Sequence, residues 1–317
     1  MNTTNSTVGD RRREMVLWVW IIRAVIAVLT VLGNGLVMIL MLRSRRLRVI
    51  QNTFIFSLAL ADFLVGAVIT PTDLVCSYWY PTSCEWPTLR TTYDILLHLS
   101  VTNLCALTFD RYMAVVEPLQ YHSVLSRRHI VIILVVSLFA AAVLPIIGHI
   151  CLANSYNLSA KIFRVVDMTF LQIVPPILLA IAYVRMVYIA RQHEKTVKLQ
   201  QNQLSFNYGN SSFVKKRRSR QGESRERASV KMIGAVIIAF LLCYVLAIVR
   251  SLVFYILHID VPKTVTHVSR ILLLTNSAVN FLVYAFLKKD FRHELKRIVC
   301  KQTRIPKESS TFHDLLT

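Results

Sequence analysis

Long apolar runs separated by shorter polar or basic stretches dominate the chain. A helix needs about 20 apolar residues to cross roughly 30 Å of hydrocarbon. Blocks of that kind fall at 16–42, 51–76, 87–113, 130–150, 165–190, 231–257 and 266–287. The third and seventh carry several polar residues and are placed partly by length and flanks. The pattern predicts an all-α bundle of seven membrane-spanning helices. Between the fifth and sixth blocks, 191–230 is rich in Gln, Ser and Arg with little apolar periodicity, which reads as a mobile loop with helical ends. After the last block, KKDFRHELKRIVC (288–300) places Phe291, Leu295, Ile298 and Val299 near one face of a basic helix. Such a helix suits the inner surface of a membrane. The expected organisation is an N-terminal segment 1–15, a bundle over 16–287, an amphipathic eighth helix over 288–300 and a tail over 301–317.

Composition supports lipid as the solvent. The 317 residues are 55% hydrophobic and only 17% charged, with a mean hydropathy of +0.51, far too apolar for a pair of soluble domains. A net charge of +20 would ordinarily suggest a nucleic-acid partner. Here the charge sits between apolar blocks, in RSRRLR (43–48), in KKRRSR (215–220) and in the tail from Lys288. Basic flanks mark the cytoplasmic side, and anionic lipid rather than nucleic acid is the partner they imply. Seven spans with a cytoplasmic C-terminus put the N-terminus outside, although Arg11, Arg12 and Arg13 run against the rule. No cleaved signal is expected, because the first apolar run, Met15 to Leu42, is too long for one.

The glycosylation triplets at Asn2, Asn5 and Asn157 fall on predicted outside segments. Six cysteines carry no CxxC and no His/Cys spacing suited to zinc. Cys84 and Cys151 are the two expected on outside loops, and a bridge between them is favoured over two free thiols. Cys300, ending the amphipathic segment, is a candidate for palmitoylation, with a free thiol the alternative.

Polar and ionisable residues at membrane depth are costly and by default functional. The first block contains GNGLV with Asn34, the second LALAD ending in Asp62, and the third DRY at Asp110, Arg111 and Tyr112. The seventh contains NSAVNFLVY from Asn276 to Tyr284. At 100° per residue, Tyr93, Ser100, Leu104 and Arg111 share one face of the third helix. Together with EPLQYHSV (117–124) and a phenylalanine seven residues past Tyr284, this set resembles the rhodopsin-like family of G-protein-coupled receptors. Its motifs are nearest to those of adenosine and biogenic-amine receptors, and the likeness runs from Asn34 to Phe291.

The resemblance implies a receptor in the plasma membrane, not an enzyme, that couples an outside ligand to a heterotrimeric G protein, with arrestin and receptor kinases as further partners. It implies that Arg111 is clasped by Asp110 and by Glu226 just before the sixth span. An Arg–carboxylate pair in a low-dielectric interface can bias a two-state helix arrangement. It implies that Asp62, Ser100, Asn276 and Asn280 hold a sodium ion, with a hydrogen-bond network as the alternative. Pro175 and Phe240 with Val101 match the family's packing switch, and Tyr183 and Tyr284 its two mobile tyrosines.

Departures are equally specific. The sixth-span pattern Cys-Trp-x-Pro stands here as Cys243, Tyr244, Val245 and Leu246, and the seventh-span proline is Phe281. Without a proline the backbone hydrogen bond that a kink would break is kept. The aspartate that pairs with amines in the third span is replaced by Tyr93, with Asp94 about 100° round the helix. The adenosine-binding positions are Ser251, Leu273 and Leu274. What remains for a ligand is Tyr93, Asp94, His98, Asp167, Tyr244, Arg250 and Arg270, whose mixed charges suggest a zwitterionic or peptide ligand, or an amine held by Asp94 or Asp167. Alternatives are a receptor-like protein that no longer couples, and a transporter or channel, which would show internal repeats or broken helices in matching halves.

Overall fold

The computed structural model describes residues 3–80, 82–152, 158–208, 213–257 and 259–302. Seven long helices pack into one bundle: α1 (Thr3–Arg43), α2 (Thr53–Tyr78), α3 (Trp86–Val116), α4 (Arg127–Leu152), α5 (Leu158–Met168, continuing through Thr169–Ile173 and Val174–Tyr208), α6 (Phe213–Tyr255) and α7 (Lys263–Leu287). An eighth, α8 (Lys289–Gln302), follows at once. No strand occurs among the described residues. Sequence neighbours pack side by side and α1 closes against α7, while α3 touches α2, α4, α5 and α6 and forms the centre.

Six of these helices are long and apolar enough to cross a membrane, so the chain is a multi-pass membrane protein. α3 falls short on composition because Arg90, Asp94, Asp110 and Arg111 lie within it. Its 31 residues still span about 46 Å at 1.5 Å each, and Tyr255 of α6 meets Arg90 while Tyr121 meets Asp110, partners that lipid cannot supply.

Two π-turns interrupt the helices, at Val65–Ile69 in α2 and at Thr169–Ile173 in α5. Each is followed within a few residues by proline, Pro71 in one case and Pro175–Pro176 in the other. A proline lacks the N–H of the helical ladder and clashes with the carbonyl four residues back, here Ala67 and Leu171, both inside a π-turn. Widening the turn relieves the clash. Nearby hydroxyls take up the loosened carbonyls: Thr72 donates to Val68 O (2.6 Å), Tyr93 to Ile69 O (3.1 Å) and Thr169 to Val165 O (2.7 Å). By contrast α6 runs unbroken through Tyr244 and Leu246, as the missing proline requires.

One expectation changes at this level. Segment 191–230 is not mainly loop: α5 continues to Tyr208 and α6 begins at Phe213. Gln, Lys, Arg and Glu are good helix formers, and a helix already nucleated by a span extends cheaply through them. The amphipathic α8 forms as expected, and its Phe291 is buried against Tyr284 with ring centroids 6.5 Å apart.

Candidate functional site

α3 links three polar levels of the bundle. Near its N-terminal end a cavity of about 740 Å³ opens among all seven helices. Of the residues expected to meet a ligand, Tyr93, Asp94, Asp167, Arg250 and Arg270 line it. Tyr93 and Asp94 both reach it although they lie on different faces of an ideal helix, so the tyrosine does not displace the aspartate from the site. His98 and Tyr244 do not line it: both are buried in the bundle, Tyr244 against Phe240 at 4.2 Å between centroids, and His98 with Nδ1 unpartnered. Helical position alone brought them forward, and depth along the helix removes them.

The cavity wall also holds two residues that the motif pattern passes over. Arg23 of α1 and Asp73 of α2 form an ion pair, Nη2 to Oδ2 at 2.7 Å, with side chains only 4% and 6% exposed. The guanidinium also lies over the Trp20 ring at 4.6 Å. A cation in the middle of an apolar run is the signal that could have found Arg23. Elsewhere in the wall, Arg90 faces Asp94 at 4.0 Å and donates to the Tyr255 hydroxyl at 2.8 Å.

Midway down α3 lies a buried polar cluster. Asp62 accepts hydrogen bonds from the Ser100 hydroxyl (2.6 Å) and the Asn280 amide (2.7 Å). Asn34 donates to the carbonyls of Thr30 (3.0 Å) and Ser277 (3.1 Å), joining α1 to α7. All of these side chains are buried, Asn276 among them, and the Asn276 Oδ1 has no partner. Phe281, at the position of the family's proline, presses its ring onto Gly33 of α1, where a Cβ would collide with it. The same relation recurs between Tyr183 of α5 and Gly234 of α6.

At the C-terminal end of α3, Arg111 Nε stands 3.1 Å from Asp110 Oδ2. The approach is electrostatic rather than an aligned hydrogen bond, since neither atom satisfies hydrogen-bond geometry. The other carboxylate oxygen accepts from the Tyr121 hydroxyl at 2.8 Å. Tyr112 packs beneath the Arg185 guanidinium, 5.6 Å from its ring centroid, and Tyr284 is fully buried with its hydroxyl unpartnered. Lys288, between α7 and α8, donates to Asn52 and lies over the Phe291 ring. The side chain of Glu226 lies outside the described residues, as do those of Asn5, Cys151 and Cys300 and the whole of Asn2 and Asn157.

The expected Cys84–Cys151 bridge is corrected. Cys84 is joined to Cys76, eight residues earlier, with Cα atoms 5.7 Å apart. Cys76 had been counted as the last residue of the second span and not as an outside cysteine; it occupies the last turn of α2, which ends at Tyr78. The short connection then folds Cys84 back within reach.

A family model described as 7 transmembrane receptor (rhodopsin family) matches residues 33–284. Among curated proteins the chain is 28% identical over 313 residues to trace amine-associated receptor 13c of Danio rerio, covering 92% of this chain and 88% of the relative. It is 27% identical over 305 residues to the histamine H2 receptor of Homo sapiens, covering 88% and 79%. It is 26% identical over 331 residues to octopamine receptor beta-1R of Drosophila melanogaster, covering 93% and 64%. The match spans every helix that carries the polar levels of the site. The chain belongs to the rhodopsin-like family of G-protein-coupled receptors, as a relative of the biogenic-amine and trace-amine receptors, and is a signalling receptor rather than an enzyme.

Proposed function

We propose that the chain binds an extracellular ligand in the 740 Å³ cavity and activates a heterotrimeric G protein at the opposite end of α3. One observation carries this reading: a charged cavity, a buried polar cluster and the Asp110–Arg111 pair lie in sequence along one central helix. Such a column lets a ligand with unequal affinity for two bundle arrangements shift their populations. Opening of the end that carries Arg111 frees its guanidinium and exposes a groove between α3, α5 and α6 for a partner helix. The basic segments 43–48 and 215–220 support an orientation with that end in the cytoplasm and the N-terminus outside, in a receptor of the plasma membrane. Asn2, Asn5 and Asn157 then take glycans and Cys300 takes a palmitoyl chain on the inner leaflet. Phosphorylation by receptor kinases and capture by arrestin would end the signal.

The polar cluster fits a sodium ion in its chemistry. Asp62 supplies one carboxylate, and the unpartnered buried Asn276 Oδ1 is an oxygen that only a cation or a donor can satisfy. Asp62, Ser100, Asn276 and Asn280 would hold the ion, which would neutralise the buried carboxylate. In the described arrangement Ser100 and Asn280 already do part of that work.

A second reading keeps ligand binding without coupling, favoured by the unbroken α6 and its Leu246. An assay of G-protein activation in cells, matched for surface expression, separates the two. Basal or ligand-driven activation that Arg111→Ala abolishes supports coupling. Ligand binding with no activation by any Gα class supports the second reading.

A further inference from the structure

The cavity wall carries four arginines, Arg23, Arg90, Arg250 and Arg270, and four aspartates, Asp73, Asp94, Asp167 and Asp260. These charges are equal in number but not evenly paired. Arg23 and Asp73 satisfy each other, and Arg90 is shared between Asp94 and Tyr255. Asp260 is exposed at the rim. Arg250 and Arg270 are different: among the described residues neither has a carboxylate within 4.0 Å or a hydrogen-bond acceptor, and they lie within electrostatic range of one another and of Asp94. Guanidinium groups stay charged at any accessible pH. The two face one cavity and share a single carboxylate at a distance, Asp94, which Arg90 also faces, so their charge is only partly offset. Among the acids, Asp167 keeps a buried Oδ1 with no hydrogen-bond partner and lies within electrostatic range of Asp94, which repels it, and of Arg90, which attracts it.

The geometry points to a zwitterionic ligand of amino-acid type, whose carboxylate is held by Arg250 and Arg270 and whose ammonium is held by Asp167 and Asp94. This rests on reading the cavity as the receptor's ligand site. Each end of the ligand supplies what one pair of wall residues lacks: a carboxylate accepts from both guanidiniums in the forked geometry for which arginine is suited, and an ammonium donates to the unpartnered Asp167 oxygen. An amine without a carboxylate leaves the arginine pair with Asp94 alone to offset it, and competes for that same carboxylate. The acidic half of the cavity thus corresponds to the amine chemistry in the relatives' names, while the basic half adds a requirement of its own. The volume lies in the range of small-ligand sites, and Trp86, Phe163 and Tyr255 give it an apolar, aromatic wall.

The test uses the full-length receptor in lipid nanodiscs and reads thermal stabilisation, which needs no G protein. The probes are the twenty α-amino acids, straight-chain ω-amino acids of three to six carbons, and, for each, the amine lacking the carboxylate and the acid lacking the amine. The expected result is that at least one zwitterion stabilises the receptor and binds roughly tenfold or more tightly than both its truncated counterparts, the scale of a charge-assisted hydrogen bond. Arg250→Gln and Arg270→Gln then erase the preference over the amine and leave amine binding within a fewfold of wild type. Equal or tighter binding of the amine, equal losses for both probe types, or no stabilisation by any zwitterion overturns the proposal. Stabilisation by a zwitterion with no G-protein activation in cells upholds the ligand class and overturns the coupling reading instead.

Discussion

Arg23 and Asp73 hold each other across the α1–α2 interface at 2.7 Å, in a place where neither side chain meets solvent. Removing one partner of a buried pair leaves a bare charge and typically costs about 3–5 kcal/mol, whereas removing both costs far less. Asp73→Met and Arg23→Met are each expected to lower the melting temperature of the detergent-solubilised receptor sharply, and the Arg23→Met/Asp73→Met double variant to recover most of the loss. Additive losses in that cycle would show that the two residues do not act as a pair.

Phe281 sits where relatives of this fold carry a proline, and Gly33 leaves the hollow that receives its ring. Gly33→Ala is therefore expected to destabilise by about 1–3 kcal/mol through overpacking, with partial rescue when Phe281 is shortened to leucine. Thermal melting of the two variants and their combination decides it. A neutral Gly33→Ala would mean that the ring is not fixed there.

Tyr121 ties Asp110 to the segment after α3 with a 2.8 Å hydrogen bond. A hydrogen bond to a charged group is worth roughly 1.5–3 kcal/mol, so Tyr121→Phe should loosen Asp110 and with it the restraint on Arg111. Basal G-protein activation is expected to rise several-fold in Tyr121→Phe. An unchanged basal signal at equal surface expression would place Tyr121 outside the restraint.

Lys288 offers a test by pH. Burial, and next the Arg111 guanidinium, hold its amine down to about 7 from the ordinary 10.5. Between those values the unfolded chain binds a proton that the folded receptor does not, so stability from this group rises as pH climbs from about 7 toward 10.5. Comparing melting temperatures of wild type and Lys288→Met from pH 6.5 to 10 should show an upward trend in the wild type that the variant lacks. Parallel curves would refute it.

Much of the architecture was legible in the sequence because lipid imposes a length and a composition on every span. α3 met the length but not the composition, since it sits at the centre of the bundle, where α2, α6 and Tyr121 meet its polar groups. The Asp62, Ser100 and Asn280 cluster and the Asp110–Arg111 pair were legible because fixed motifs mark them. What was not legible depends on how one helix meets another. Arg23 and Asp73 stand in separate apolar runs with no motif between them, and only the packing of α1 on α2 makes them a pair. His98 and Tyr244 have suitable chemistry, but only depth along the helix decides that they miss the cavity. The Cys76–Cys84 bridge escaped because an apolar run extending to residue 76 hides where the helix stops.

The π-turn at Val65–Ile69 carries a consequence for register. Asp62 and Asp73 are eleven residues apart, close to three full turns, so an uninterrupted α2 would aim both aspartates the same way. One extra residue in the turn swings everything beyond it by about 100°. That swing lets one helix address two different neighbours: Asp62 meets Ser100 of α3 and Asn280 of α7, while Asp73 meets Arg23 of α1. Deleting a single residue from 65–69 would therefore act at a distance, turning Asp73 away and stranding Arg23 without touching either side chain.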